Sequence, residues 1–190
     1  MDKIGILGIV GSLRKDSYNW FALKAAQEIV PDGAVLDLID LHGIPVFNQD
    51  DEMAPPASVL EFKRRIRSAD AILFATPEYN YSVPGGLKNA IDWASRPYGE
   101  SAWQRKPAAI MGASVGSLGT ARAQYHLRQM LVTLNMPVVN QPEVMIGNAA
   151  RVFDKAGRLT DEPTRQFIQN LLAALVQLVL ESPNSKIPTK

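Results

Sequence analysis

Short apolar runs alternate along this chain with longer stretches in which apolar residues recur every three or four positions. The runs KIGILGIV (3–10), AVLDLIDL (34–41), DAILFATP (70–77), KPAAIMGAS (106–114) and MPVVN (136–140) have the length and apolarity of strands buried on both faces. Between them lie helical segments. SYNWFALKAAQEIV (17–30) places Trp20, Leu23, Ala26 and Val30 on one face, and ASVLEFKRRIRSA (57–69) does so with Val59, Phe62 and Ile66. GLKNAIDWAS (86–95) reads as a third helix. TARAQYHLRQMLVTLN (120–135) turns Leu127, Met130, Leu131 and Leu134 inward, and DEPTRQFIQNLLAALVQLVLE (161–181) closes the chain as a docking helix. Strict strand–helix alternation demands right-handed crossovers, hence a parallel sheet covered on both faces. Five strands fit a flavodoxin-like three-layer sandwich of order 2-1-3-4-5, formed as one domain over 1–182 with a flexible tail at 183–190. Ligands of such sheets bind beyond the carboxyl ends of the strands, so the loops after strands 1, 3 and 4 are where chemistry is expected.

Composition narrows the class of function. Net charge is +1, without the basic excess of a nucleic-acid binder. With no cysteines and two histidines, His42 and His126, thiolate catalysis, disulfides and cysteine or histidine metal sites are not expected. No run approaches the roughly 18 apolar residues of a membrane span, and the first residues lack a signal-peptide pattern. The expectation is a cytoplasmic protein with no membrane or nucleic-acid partner and no metal.

The three loops are unusual. GSLRKDSYN (11–19) offers Ser12, Leu13, Arg14, Ser17, Tyr18 and Asn19 where a strand gives way to a helix. Unpaired N–H groups at a helix start, two hydroxyls, an amide and a guanidinium fork suit a phosphate, although a plain N-cap at Ser17 and a solvated Arg14 would read the same way. No Gly-Lys-Ser/Thr follows, and Gly5, Gly8 and Gly11 do not make the dinucleotide fingerprint, so a single phosphate suits the loop better than a nucleotide triphosphate or dinucleotide. In TPEYNYSVPGG (76–86), Pro77 and Pro84 stiffen the backbone, Gly85 and Gly86 permit close approach, and Tyr79 and Tyr81 present flat surfaces. Asn80 adds a polar side chain to this ligand-reading loop; the alternative is a rigid turn whose tyrosines only pack. Gly112 to Gly116 matches G-x-S-x-G, but a hydrolase needs an acid and then a late histidine after Ser114. His126 lies on the adjoining helix with no Asp or Glu between, which argues against a nucleophile and for a glycine-rich loop approaching a flat ligand through Ser114 and Gly116.

These three motifs together, across about residues 4–147, resemble the NAD(P)H-dependent FMN reductase family, and most nearly its bacterial chromate and quinone reductases. The resemblance implies non-covalent FMN, bound by Ser12, Leu13, Arg14, Ser17, Tyr18 and Asn19, of which Ser12, Arg14, Ser17 and Asn19 hold its phosphate. It places Pro77, Glu78, Tyr79 and Asn80 at the isoalloxazine and ribityl groups, and Ser114 and Gly116 near the ring. It further implies NADPH or NADH as donor, a small-molecule acceptor such as a quinone, another flavin or chromate, and ping-pong turnover without a catalytic side chain. A homodimer or homotetramer is expected, with Arg122, Tyr125 and Glu143 at an interface near the flavin. The rival expectation is a flavodoxin-like electron carrier or flavin-binding sensor, which the net charge and Arg14 disfavour.

Overall fold

The computed structural model of the chain describes residues 3–182; the tail expected at 183–190 lies outside the described residues. Five parallel strands, β1 (Ile4–Val10), β2 (Ala34–Ile39), β3 (Ala71–Ala75), β4 (Ala108–Ala113) and β5 (Val144–Ile146), form one sheet of order β2-β1-β3-β4-β5. The order is the one the alternation of segments predicts. Six helices accompany them: α1 (Tyr18–Glu28), α2 (Ala57–Ser68), α3 (Gly85–Ala94), α4 (Ala121–Thr133), the short α5 (Ala149–Val152) and α6 (Glu162–Glu181).

The period-2 geometry of the strands sorts the apolar residues into two cores. Ile6, Val10, Leu73 and Met111 point to one face and meet Leu23 and Ala26 of α1 and Ile168, Leu172 and Leu175 of α6. Leu7, Ile9, Ile72, Phe74 and Ile110 point to the other and meet Phe62 and Ile66 of α2, Leu87 and Ile91 of α3, and Leu127 and Leu131 of α4. Among the residues expected on the inner faces, Trp20, Val30, Met130 and Leu134 sit only half-buried at the rims. Gly8 has no room for a side chain: a Cβ there would meet Leu38 Cδ2 of β2 at 2.7 Å and Leu23 Cδ2 of α1 at 3.0 Å.

One strand differs from expectation. MPVVN (136–140) contributes only an isolated bridge, Val138 with Ala108, and β5 proper is Val144–Ile146, paired with Met111 to Ala113. Pro137 has no N–H to donate, and Pro142 interrupts the extension, so the edge is built from two short pieces rather than one.

The crossover through α1 lies on one face and that through α3 on the other, so the chain leaves β1 and β3 in opposite directions. A crevice opens between adjacent strand ends at such a switch point, and the loops after β1 and β3 border it.

Candidate functional site

Each of the three loops is built from local chemistry. After β1, Ser17 caps α1, its Oγ accepting from Asn19 N at 3.2 Å, and Ser12 Oγ accepts from Arg14 N at 3.2 Å. Both serines are buried, while Arg14 and Leu13 are exposed. Asn19 is spoken for in a way its type alone does not reveal. Its amide donates to Ala113 O at 3.0 Å and accepts from Ala113 N at 2.9 Å, tying the start of α1 to the end of β4.

After β3, residues 79 to 82 form a tight turn closed by Tyr79 N donating to Ser82 O at 2.9 Å and Ser82 N donating to Tyr79 O at 3.0 Å. Both central residues, Asn80 at φ 50° and Tyr81 at φ 66°, are left-handed. Asn tolerates that region; a tyrosine rarely enters it. Glu78, whose side chain is only 6% exposed, accepts from the backbone N–H of Arg122 at 3.1 Å and of Ala123 at 3.3 Å, and pairs with the Arg122 guanidinium. That guanidinium stands 3.7 Å above the Tyr81 ring.

After β4, Ser114 Oγ accepts from Gly116 N at 3.1 Å, and the loop is fastened by Ser114 N donating to Ile146 O and Asn148 N donating to Gly116 O. Gly112 lets this loop lie against its neighbours, since a Cβ there would run into Thr120 Oγ1 and the Thr76 carbonyl. His126 Nδ1 lies 3.1 Å from Ser82 Oγ, so Ser114 and His126 make no pair and a hydrolase triad is absent among the described residues.

Between the loops lies a cavity of about 160 Å³, bordered by Ser12, Ser17, Asn19, Pro77, Glu78 and Ser114. A second, more apolar cavity of about 310 Å³ lies against Leu13, Pro84, Gly85 and Gly86, and the two share Arg14 and Tyr79 as walls. A larger cavity of about 400 Å³ lies apart, between α3 and α4, and contains none of the loop residues above. Tyr18 and Val115 also border the polar cavity; Val115, an exposed apolar residue in a glycine-rich loop, carried no sequence signal.

Arg122 and Tyr125 stand one turn apart on α4 with different partners. Tyr125 OH donates to Glu143 Oε2 at 3.3 Å, a bond that raises the phenol's pKa, while Arg122 is held by Glu78.

This pairing of a hydroxyl- and guanidinium-lined cavity with an apolar one, on the loops of a parallel five-stranded sheet, agrees with what the sequence matches. Residues 4–151 match the profile of a family described as NADPH-dependent FMN reductase. The chain belongs to that family. It is 56% identical over 175 residues to an NAD(P)H-dependent FMN reductase of Pseudomonas aeruginosa, covering 92% of this chain and 94% of the relative. A quinone reductase of Pseudomonas putida is 48% identical over 162 residues, covering 85% and 87%. Among solved structures, the flavoenzyme NAD(P)H:(acceptor) oxidoreductase FerB of Paracoccus denitrificans superposes with a TM-score of 0.84 at 40% identity, covering 94% of this chain and 98% of that one. As a member of the FMN reductase family, the chain is an oxidoreductase that uses FMN and a nicotinamide donor. The site fits the cofactor: buried serines, a helix N-terminus and an exposed Arg14 suit a phosphate, and the adjoining apolar cavity suits a planar ring.

Proposed function

We propose that this protein is an NAD(P)H-dependent quinone reductase, passing two electrons at a time to small acceptors. Bound FMN supplies the exchange of hydride equivalents between the nicotinamide and the acceptor. The chain's own residues bind, orient and shield. Ser12, Arg14 and Ser17, with the backbone of Leu13 and the first N–H groups of α1 at Tyr18, hold the phosphate; Asn19 keeps one amide hydrogen for it after bonding Ala113. The backbone of Pro77 to Asn80 orients the ring, and Ser114 and Gly116 border it. No side chain acts as general acid or base.

The observation that carries this reading is that Arg14 and Tyr79 wall both a polar and an apolar cavity at the switch point. A quinone is the proposed acceptor because the Pseudomonas putida relative bears that name. Free flavins and chromate are proposed as secondary acceptors of the same open site. The protein is proposed to work in the cytoplasm: its cysteine-free sequence suits a reducing compartment, and no described helix is long and apolar enough to cross a membrane. Homodimers or homotetramers are proposed, with Arg122 and the exposed Tyr125–Glu143 pair near the contact.

The test is anaerobic addition of NADPH, then NADH, to the FMN-loaded protein while its absorbance is followed. Bleaching within seconds and recovery on adding a quinone is the expected result. A spectrum that stays oxidised would make the protein a carrier or sensor, and protein that takes up no FMN would overturn the assignment of the site.

A further inference from the structure

We propose that Glu78, on the wall of the polar cavity, is a positioning residue whose carboxylate braces the 79–82 turn against α4. The proposal rests on the FMN reading of the site.

The hydrogen-bonding capacity of the carboxylate is spent on α4. Oε2 accepts the N–H groups of Arg122 and Ala123, and Oε1 takes the Arg122 guanidinium. Helix α4 receives no side-chain hydrogen bond from its own N-cap, Thr120. Glu78, 44 residues earlier, supplies the missing acceptor together with a negative charge at the positive end of the helix. Arg122 then reaches back over the Tyr81 ring at 3.7 Å, and His126, one turn further along α4, meets Ser82 Oγ at 3.1 Å. Three ties therefore run from one helix to one short turn, at its entry, its tip and its exit.

The turn has reason to need them. It holds a tyrosine at φ 66° beside an asparagine at φ 50°, a conformation the chain does not keep by local preference. Its two closing hydrogen bonds fix the backbone of Tyr79, a wall of both cavities. An unbraced turn would relax Tyr81 out of the left-handed region and move the backbone that orients the ring.

The experiment compares wild type, Glu78→Gln and the double variant Glu78→Gln with Tyr81→Gly. In each, hydrogen exchange of the Tyr79 and Ser82 amides is read in FMN-free protein, and FMN affinity is read by flavin fluorescence. Glutamine keeps an acceptor for the helix but turns an NH₂ toward Arg122. Faster exchange at those two amides and affinity weaker by roughly tenfold are expected. The added glycine makes the Asn-Gly pair that two-residue turns favour, so the double variant is expected to recover slow exchange and most of the affinity. Unchanged exchange and affinity in Glu78→Gln would overturn the proposal. So would weakened affinity with unchanged exchange and no rescue, which would make Glu78 a direct cofactor contact. Wild-type protein that fails to bind FMN would sink the reading of the site, while the exchange comparison would still test the brace. Should Glu78→Gln not fold, Arg122→Gln tests the other end: faster exchange supports the brace and unchanged exchange overturns it.

Discussion

At the scale of single residues, Arg14 and Asn19 show two kinds of loop polarity. Arg14 is exposed and has no ion-pair partner among the described residues, so its charge is available to a ligand and does little for the fold. Arg14→Ala is expected to weaken FMN binding by roughly 10- to 100-fold, the worth of a charge-assisted hydrogen bond, with the urea midpoint unchanged. Asn19 is the reverse. It is 2% exposed and its amide satisfies both backbone groups of Ala113. Asn19→Ala leaves that buried N–H and C=O unpaired, so urea unfolding is expected to show a loss of about 2 to 4 kcal/mol. Both residues lie in the one motif GSLRKDSYN, and their types gave no hint of this division of labour, because Ala113 is 94 positions away.

Among the elements, two of the long helices, α1 and α6, are held at their starts by a local side-chain cap. Ser17 caps α1, and Asp161 caps α6 by accepting from Thr164 N at 2.9 Å and Thr164 Oγ1 at 2.7 Å. The side-chain bond first, then the backbone bond, holds the Asp161 pKa below its ordinary value. A depressed folded pKa means that the ionised cap stabilises the native state above the ordinary carboxylate range of about 4, and that this contribution fades as pH falls through the lower folded value. Asp161→Ala is therefore expected to lower the denaturation midpoint at pH 7, with the gap to wild type narrowing in more acidic solution. Where such a cap exists it is local: Ser17 and Asp161 each bond a residue two or three positions on. The fifth strand was misread for the opposite reason: MPVVN has strand composition, but only the place of β4 decides that Val144–Ile146 runs beside it.

For the whole molecule, the site exists only because loops distant in sequence converge at one edge of the sheet. A ligand there binds the native state and not the unfolded chain, so it stabilises by mass action. FMN at a hundredfold excess over its dissociation constant is expected to add about 2.7 kcal/mol, measured as a rise in the thermal midpoint. At the same FMN concentration Arg14→Ala is expected to show a visibly smaller rise. FMN that leaves the wild-type midpoint unmoved would mean that it does not bind at the switch-point cavities.

The alternation of apolar runs and helical periods determined the layered sheet and which three loops meet at its edge, because both follow from short-range periodicity and the handedness of crossovers. The loop motifs likewise determined the family, since residue type and spacing are properties of the chain alone. Tertiary structure decided what each polar side chain is free to do. The Glu78 carboxylate is engaged by Arg122 of α4; Asn19 is shared with β4; Tyr125 bonds Glu143. The physical reason is that a buried polar group must find its partner wherever the fold brings one, and that partner is seldom a neighbour in sequence.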